Sequence, residues 1–265
     1  MTGHPPLTDI HCHLLPGLDD GAADWDEALG MARLAAEDGI TAAVVTPHQL
    51  GLCGRNRGPE IRDRTAQLQQ LLDRHGVGLR VLPGAEVRVE PGLAARLRSG
   101  EVLTLADRHR HVLVELPPEV YFPLDRVLAE LHRAGITAVL AHPERNAAIL
   151  ARPEIVTSLV QAGCLVQITA GSLTGKFGPE TQQFASRLVQ QHLAHCVATD
   201  AHSVRSRRPL LAGAYECVRS LAGEAAASAL CCHNPACIAA GQPVEPAHGS
   251  RRRDRREWSF QREAG

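Results

Sequence analysis

The chain has almost no net charge, no long apolar segment and a single lysine. Its 265 residues carry a formal charge of −1 at pH 7, so no protein-wide field attracts it to nucleic acid or to a membrane surface. No apolar run reaches the roughly 18 residues of a membrane span, and no apolar stretch follows the opening "MTGHPPLTD". The sequence therefore predicts neither membrane insertion nor a secretory signal. Basic residues are arginine with one exception, Lys176.

Several motifs for nucleophiles and cofactors are missing as well. None of the eight cysteines begins a Cys-x-x-Cys pair, and a chain of this length needs no disulfide scaffold, so we expect reduced thiols in a cytoplasmic protein. No arginine follows a cysteine at Cys-x5-Arg spacing, which argues against a thiolate phosphatase loop. No Gly-x-Ser-x-Gly elbow is present. The segment "GSLTGKFG" resembles a phosphate-binding loop, but its spacing is one residue short and phenylalanine follows the lysine.

What the chain does contain is a regular alternation of strand and helix patterns. Seven short, nearly continuous apolar runs predict strands at 7–13, 41–48, 79–87, 111–117, 137–145, 165–172 and 194–202. Amphipathic segments separate them. The first has Asp24 as a candidate cap, Glu27 three residues later and Gly39 as a stop. This alternation predicts an α/β domain with parallel strands, either an open doubly wound sheet or a closed barrel.

The polar residues at the strand ends favour the barrel. His11 and His13 are one residue apart on the first run, so their side chains share a face, as two ligands of one metal ion would. Six of the seven runs end in a residue able to bind a metal, and barrel enzymes assemble their sites from the carboxyl ends of several strands. An open sheet would concentrate the site at one switch point. The nine candidate ligands are His11, His13, Asp20, His48, Glu86, Glu115, His142, Asp200 and His202.

Five imidazoles and four carboxylates are too many donors for one ion. Because no cysteine needs to join them, they do not indicate a structural zinc site. Mixed nitrogen and oxygen donors suit manganese, iron or zinc. Ions held about 3.5–4 Å apart can stabilise a displacement at phosphorus and lower the pKa of a bridging water.

The motifs "DIHCH", "TPH", "GAE", "AHPERN" and "ATDAH" resemble the PHP (polymerase and histidinol phosphatase) superfamily. Within it, "LPGLDDGA", "VLVELP" and "TAGSLTGKFG" resemble the bacterial manganese-dependent protein-tyrosine phosphatases of capsule and exopolysaccharide synthesis, from about Thr8 to Pro243. The resemblance implies a distorted seven-stranded barrel, (β/α)7 and TIM-like, with three metal ions, most simply Mn²⁺. It assigns one ion to His11, His13, Glu86 and Asp200, a second to Glu86, Glu115 and His142, and a third to Asp20, His48 and His202. Asp20 is preferred to Asp19 because the aspartate before glycine fits the motif.

The same resemblance implies a phosphate-binding arginine at Arg145 and a second one at Arg207. The segment "SRRPL" departs from the family pattern, so Arg208 is an alternative to Arg207. The implied reaction is hydrolysis of phosphotyrosine by a metal-activated water. The implied substrate is the tyrosine-rich tail of a membrane-associated autokinase that controls polysaccharide export.

Three other functions stay open on the sequence alone. A phosphatase of small phosphomonoesters, such as histidinol phosphate, would use the same ligands. A metal-dependent amidohydrolase often needs a carbamylated lysine at a strand end, whereas Lys176 follows the sixth run in a glycine-rich loop. A kinase-binding regulator without turnover would be expected to have an incomplete ligand set. An oligomer is possible. We expect residues 1–243 to form the domain and the arginine-rich residues 244–265 to form a disordered tail.

Overall fold

The computed structural model describes residues 4–244 of the chain. Apart from Val244, the predicted tail lies outside these residues. The strands are β1 (Leu7–Cys12), β2 (Ile40–Val45), β3 (His48–Gln49), β4 (Arg80–Pro83), β5 (Glu86–Arg88), β6 (His111–Glu115), β7 (Thr137–Ala141), β8 (Leu165–Thr169) and β9 (Cys196–Ala198). The α-helices are α1 (Trp25–Glu37), α2 (Gly58–Arg74), α3 (Leu93–Ser99), α4 (Asp125–Arg133), α5 (Ala147–Leu150), α6 (Glu154–Gln161), α7 (Ala170–Leu173), α8 (Pro179–Gln190), α9 (Ala212–Ala222), α10 (Glu224–Ser228) and α11 (Asn234–Ala240). No helix within residues 4–244 is long and apolar enough to cross a membrane.

All paired strands are parallel, as the alternation predicts. They form two sheets in the orders β1-β2-β4 and β3-β5-β6-β7-β8-β9. Between the first and last strands, Cys12 forms a parallel bridge to Ala201, and the Asp200 amide donates to the His11 carbonyl at 2.7 Å. The carboxyl ends of β1 and β9 therefore lie side by side.

The prediction of seven strands is wrong in count, because two of the predicted runs are each interrupted. The second run breaks into β2 and β3 at Thr46 and Pro47, and the third into β4 and β5 at Gly84 and Ala85. Proline supplies no amide to a sheet ladder. A side chain on Gly84 would place its Cβ 2.6 Å from Val44 Cγ1, so the two broken runs approach each other closely there.

Apolar side chains pack on both sides of the strands. The larger cluster lies between strands and helices and includes the buried face of α1. A smaller cluster joins β1 and β2 of one sheet to strands of the other, through residues such as Ile10, Val44, Leu113 and Val139. As predicted, Asp24 caps α1 by accepting from the Glu27 amide at 2.8 Å. The strands are thus fixed from both sides, which holds their polar ends in place.

Candidate active site

The nine predicted ligands lie at or just beyond the carboxyl ends of parallel strands. His11 lies in β1, and His13 and Asp20 follow it. His48 and Glu86 come just after the ends of β2 and β4, where they begin the short strands β3 and β5. Glu115 ends β6, His142 follows β7, and both Asp200 and His202 follow β9. Seven of them line one cavity of about 220 Å³: Asp20, His48, Glu86, Glu115, His142, Asp200 and His202. His11 and His13 are fully buried.

Four donors converge at the centre of the cluster. The Nε2 atoms of His11 and His13 are 3.3 Å apart. Glu86 Oε2 lies 3.1 Å from the first and 3.5 Å from the second. Asp200 Oδ1 lies 3.3 Å and 3.5 Å from the same two nitrogens. This is the donor set that the family resemblance assigns to one metal ion.

The ligands predicted for the other two ions also lie close together, but the groups that the structure forms differ in part from the predicted ones. Glu86 Oε1 lies 2.9 Å from His142 Nε2, but Glu115 is grouped with Glu86 and His48. Asp20 Oδ1 lies 3.6 Å from His48 Nε2 and 3.4 Å from His202 Nε2. Their group also includes His13.

The donor set fits divalent cations. In each of four groups of these residues, the potential ligand atoms lie within 4.8 Å of one another. Asp200 Oδ1 is buried and accepts no hydrogen bond from the described residues. Buried carboxylates normally have a partner, and the donors are all imidazole nitrogens or carboxylate oxygens, which suit manganese, iron or zinc.

The charges of the carboxylates agree with this reading. Burial opposes ionisation of Asp200, but His11 and His13 outweigh it and hold the pKa of Asp200 well below its usual value. A hydrogen bond from His202 lowers the pKa of Asp20. Glu115 differs: burial, and then the nearby Glu86, raise its pKa. Asp20 and Asp200 are therefore kept in the ionised form in which a carboxylate binds a cation.

Three imidazoles are held so that Nε2 faces the cluster. His11 Nδ1 donates to Gln167 Oε1 at 2.9 Å, and His13 Nδ1 donates to Asp19 Oδ2 at 2.8 Å. His202 Nδ1 donates to the Asp200 carbonyl at 3.0 Å. Such partners fix the tautomer and the ring orientation of a ligand histidine.

Sequence reasoning missed both Gln167 and the role of Asp19. The Asp19 side chain is buried, and it also accepts from the amides of Gly21 and His48 at 3.0 and 2.9 Å. Its position next to Asp20 in the motif marks Asp19 as part of the site, but does not show that it orients the His13 ring. Gln167 lies on β8, the one predicted strand that ends without a ligand. Its polar side chain within the apolar run "LVQIT" was the signal that could have found it.

Both predicted arginines line the same cavity. Arg145 Nη1 and Arg207 Nη2 each donate to Asp200 Oδ2. The guanidinium of Arg145 lies over the Phe177 ring, 4.5 Å from its centroid. Arg208 lines a neighbouring cavity instead, so the geometry distinguishes it from Arg207.

The loop that carries Arg145 is fixed by its buried neighbour Glu144. Glu144 Oε1 accepts from the Thr169 amide at 2.8 Å and from the Ser172 hydroxyl at 2.7 Å. Two residues before Glu144, the ligand His142 adopts φ 32°, in the left-handed region that non-glycine residues rarely occupy. This clamp between the β7 and β8 ends is another feature that the sequence did not reveal.

A model of the CpsB/CapC family of capsular polysaccharide synthesis matches residues 7–240. The tyrosine-protein phosphatase YwqE of Bacillus subtilis is 38% identical over 202 residues, covering 76% of this chain and 79% of its own. The tyrosine-protein phosphatase CpsB of Streptococcus pneumoniae is 27% identical over 235 residues, covering 86% and 96%.

Solved structures agree with these relatives. A chain from the crystal structures of YwqE from Bacillus subtilis and CpsB from Streptococcus pneumoniae, described as unique metal-dependent tyrosine phosphatases, aligns with a TM-score of 0.87 and 33% identity, covering 93% of this chain and all of the other. The phosphotriesterase homology protein of Escherichia coli aligns at 13% identity and a TM-score of 0.56, covering 87% of this chain and 98% of its own, which indicates a shared fold alone.

Proposed function

Because the chain belongs to the CpsB/CapC family of capsular polysaccharide synthesis, we propose that it hydrolyses phosphotyrosine in proteins as a metal-dependent tyrosine-protein phosphatase. One observation carries the proposal: nitrogen and oxygen donors from successive strand ends meet two arginines in a single cavity. The relatives YwqE and CpsB, both named tyrosine-protein phosphatases, support the same activity.

The proposal assigns three Mn²⁺ ions to the nine donors, with Glu86 shared between two of them. His11, His13, Glu86 and Asp200 hold one ion, and the contacts of 3.1–3.5 Å among them support this set. Glu86, Glu115 and His142 hold another, and Asp20, His48 and His202 the third. Bound divalent ions supply a water of lowered pKa as the nucleophile and neutralise negative charge on the phosphoryl oxygens.

Arg145 and Arg207 are assigned to the phosphoryl group. Each guanidinium has five N–H donors in a fixed fork. One bond to Asp200 therefore leaves donors that can reach phosphoryl oxygens in the same cavity. Such donors act most strongly when charge develops on those oxygens in the transition state. The two arginines therefore orient the phosphate and stabilise its charge.

The leaving group and the cysteines fit direct attack by water without a phosphoenzyme. A tyrosine phenolate leaves with a pKa near about 10, so it needs less help from an acid than an alkoxide does. Cys12 lies between two ligand histidines, but its thiol donates to the Val44 carbonyl at 3.4 Å. Burial raises the pKa of Cys12 well above its usual value, which makes it a poor nucleophile.

We also propose that residues 1–243 form a single domain, built as one distorted barrel. The bridge between Cys12 and Ala201 and the small apolar cluster shared by the two sheets support closure.

We assign as substrate the phosphorylated tail of a tyrosine autokinase in polysaccharide export, on the basis of the family match. A cytoplasmic location is included because all eight cysteines are free thiols.

The test combines metal analysis with a substrate panel. The purified protein is stripped with a chelator, reloaded with Mn²⁺, Fe²⁺ or Zn²⁺, and assayed on a phosphotyrosine peptide and on alkyl phosphates, including histidinol phosphate. We expect activity to return with metal, to favour the aryl ester and to survive thiol alkylation. His13→Ala should lose metal and activity, whereas His132→Ala, at an exposed position in α4, should lose neither. Preference for alkyl phosphates, or full turnover of the His13 variant, would contradict the proposal.

A further inference from the structure

A second cavity adjoins the active site and is lined by positive charge. We call it the basic cavity; it has a volume of about 470 Å³, and its charged lining residues are Lys176, Arg205, Arg207, Arg208 and Asp38. Apart from Arg207, none of these residues has a role in the assigned reaction. We propose that, given the phosphatase activity proposed above, the basic cavity binds an acidic side chain of the substrate protein close to the phosphotyrosine.

The charge in this cavity is poorly balanced. Within residues 4–244, Lys176, Arg205 and Arg208 form no ion pair, and the buried Arg208 Nε has no hydrogen-bond partner. Asp38 is the acidic lining residue, and its carboxylate already accepts from the amides of Leu211 and Ala212 at the start of α9. The cavity thus offers several cationic donors to an anion.

Two residues place the basic cavity beside the reacting phosphate. Arg207 lines both cavities, so one guanidinium forms part of each. Phe177 lines the basic cavity, while Arg145 of the active cavity lies over its ring at 4.5 Å. A peptide with its phosphotyrosine in the active cavity therefore has neighbouring residues within reach of the second.

The walls suit a side chain better than a free ion. Phe177 and Leu210 contribute apolar surface next to the cationic groups. The Phe177 ring packs tightly on the main chain of α7: an added Cβ on Gly171 would lie 2.8 Å from it. A fixed apolar wall with cations around it matches the methylene stem and carboxylate of glutamate, or the ring and phosphate of a second phosphotyrosine.

The experiment compares matched phosphotyrosine peptides that carry glutamate or glutamine at positions within three residues of the phosphotyrosine. We expect the metal-loaded wild type to favour one glutamate peptide by about fivefold in kcat/KM, the scale of one partly exposed ion pair. The difference should be in KM, because this contact is equally strong before and during phosphoryl transfer. A peptide with a second phosphotyrosine at that position should bind at least as well.

The variant Lys176→Gln/Arg205→Gln should reduce the preference to about one. Arg98→Gln, which removes an exposed charge from α3, is the matched control and should keep it. Hydrolysis of p-nitrophenyl phosphate separates the two proposals, since it requires the metal site and no neighbouring residue. If this small ester is hydrolysed but the wild type has no acidic preference, or the double variant retains it, the basic cavity is not a substrate subsite. If neither ester nor peptide is hydrolysed, the proposed phosphatase function itself fails.

Discussion

Replacing Gln167 with leucine should weaken metal binding by about 10- to 100-fold without unfolding the protein. Gln167 Oε1 accepts from His11 Nδ1 at 2.9 Å, and both side chains are fully buried. Leucine has a similar volume but no acceptor. The His11 ring would then lose the partner that keeps the proton on Nδ1 and directs Nε2 at the cluster.

The magnitude follows from the burial of this bond. A buried donor that loses its partner costs about 1–3 kcal/mol. Since each 1.4 kcal/mol is about tenfold in an equilibrium constant, the range corresponds to about 5- to 150-fold in affinity. The observed effect of such supporting partners on metal affinity, about 10- to 100-fold, lies within it.

Competition with a chromophoric chelator measures the affinity, and thermal melting of the stripped protein checks the fold. Gln167→Glu is the matched control at the same position. It keeps an oxygen acceptor, and Gln167 Nε2 has no hydrogen-bond partner among the described residues, so exchanging it for oxygen breaks no bond there. Equal affinities of the leucine and glutamate variants would refute the role assigned to this bond.

Three further predictions concern phosphate binding by Arg145, the loop that packs Gly21 against His13, and the buried His195. Arg145→Ala should lower kcat/KM for phosphotyrosine peptides by about 10²- to 10³-fold at unchanged metal content, and Arg145→Lys should recover only part of this loss. Full activity of Arg145→Ala in steady-state assays would show that Arg145 does not bind the phosphate and would assign that role to Arg207. Gly21→Ala should reduce bound metal, measured by elemental analysis, because its Cβ would lie 2.3 Å from the His13 carbonyl oxygen; normal metal content would show that the loop can shift. Burial lowers the pKa of His195 from 6.5 to about 4, and its Nδ1 accepts from the Val166 amide. Since the unfolded chain takes up the proton at a higher pH than the folded one, the free energy of unfolding should fall by up to about 3 kcal/mol as the pH drops from 6.5 to about 4. Urea unfolding at several pH values measures this, and an unchanged pH dependence in His195→Asn would contradict it.

The family and the chemistry were predictable because the signals are local. The His-x-His pair and the polar residues in "TPH", "VLVELP" and "ATDAH" can each be recognised within one predicted strand. Parallel strands then gather their carboxyl ends without further information. The match to the CpsB/CapC family over residues 7–240 confirms the resemblance, and the named relatives confirm the predicted class of tyrosine phosphatase.

Other features depended on partners far along the chain and were not predictable. Gln167 lies 156 residues from His11, so nothing local in "LVQIT" states which group it contacts. The break in the third run lies at Gly84, which closely approaches Val44 of the second run, about 40 residues earlier in the chain. The placement of Arg207 rather than Arg208 at the site depends on the turn in which the Arg207 carbonyl accepts from the His202 amide at 2.8 Å.

Asp200 connects the proposed metal ligands to the two arginines that we propose bind phosphate. Its Oδ1 faces the two buried histidines at 3.3 and 3.5 Å, while its Oδ2 accepts from Arg145 and Arg207. Asp200 adopts φ 51°, a strained conformation for aspartate that must be held by its surroundings. Asp9 supplies this support from β1, since its carboxylate accepts from the Thr199 amide at 3.0 Å. In the proposed reaction, this one carboxylate would therefore set the spacing between the metal site and the guanidinium groups, which must both contact the same phosphoryl group.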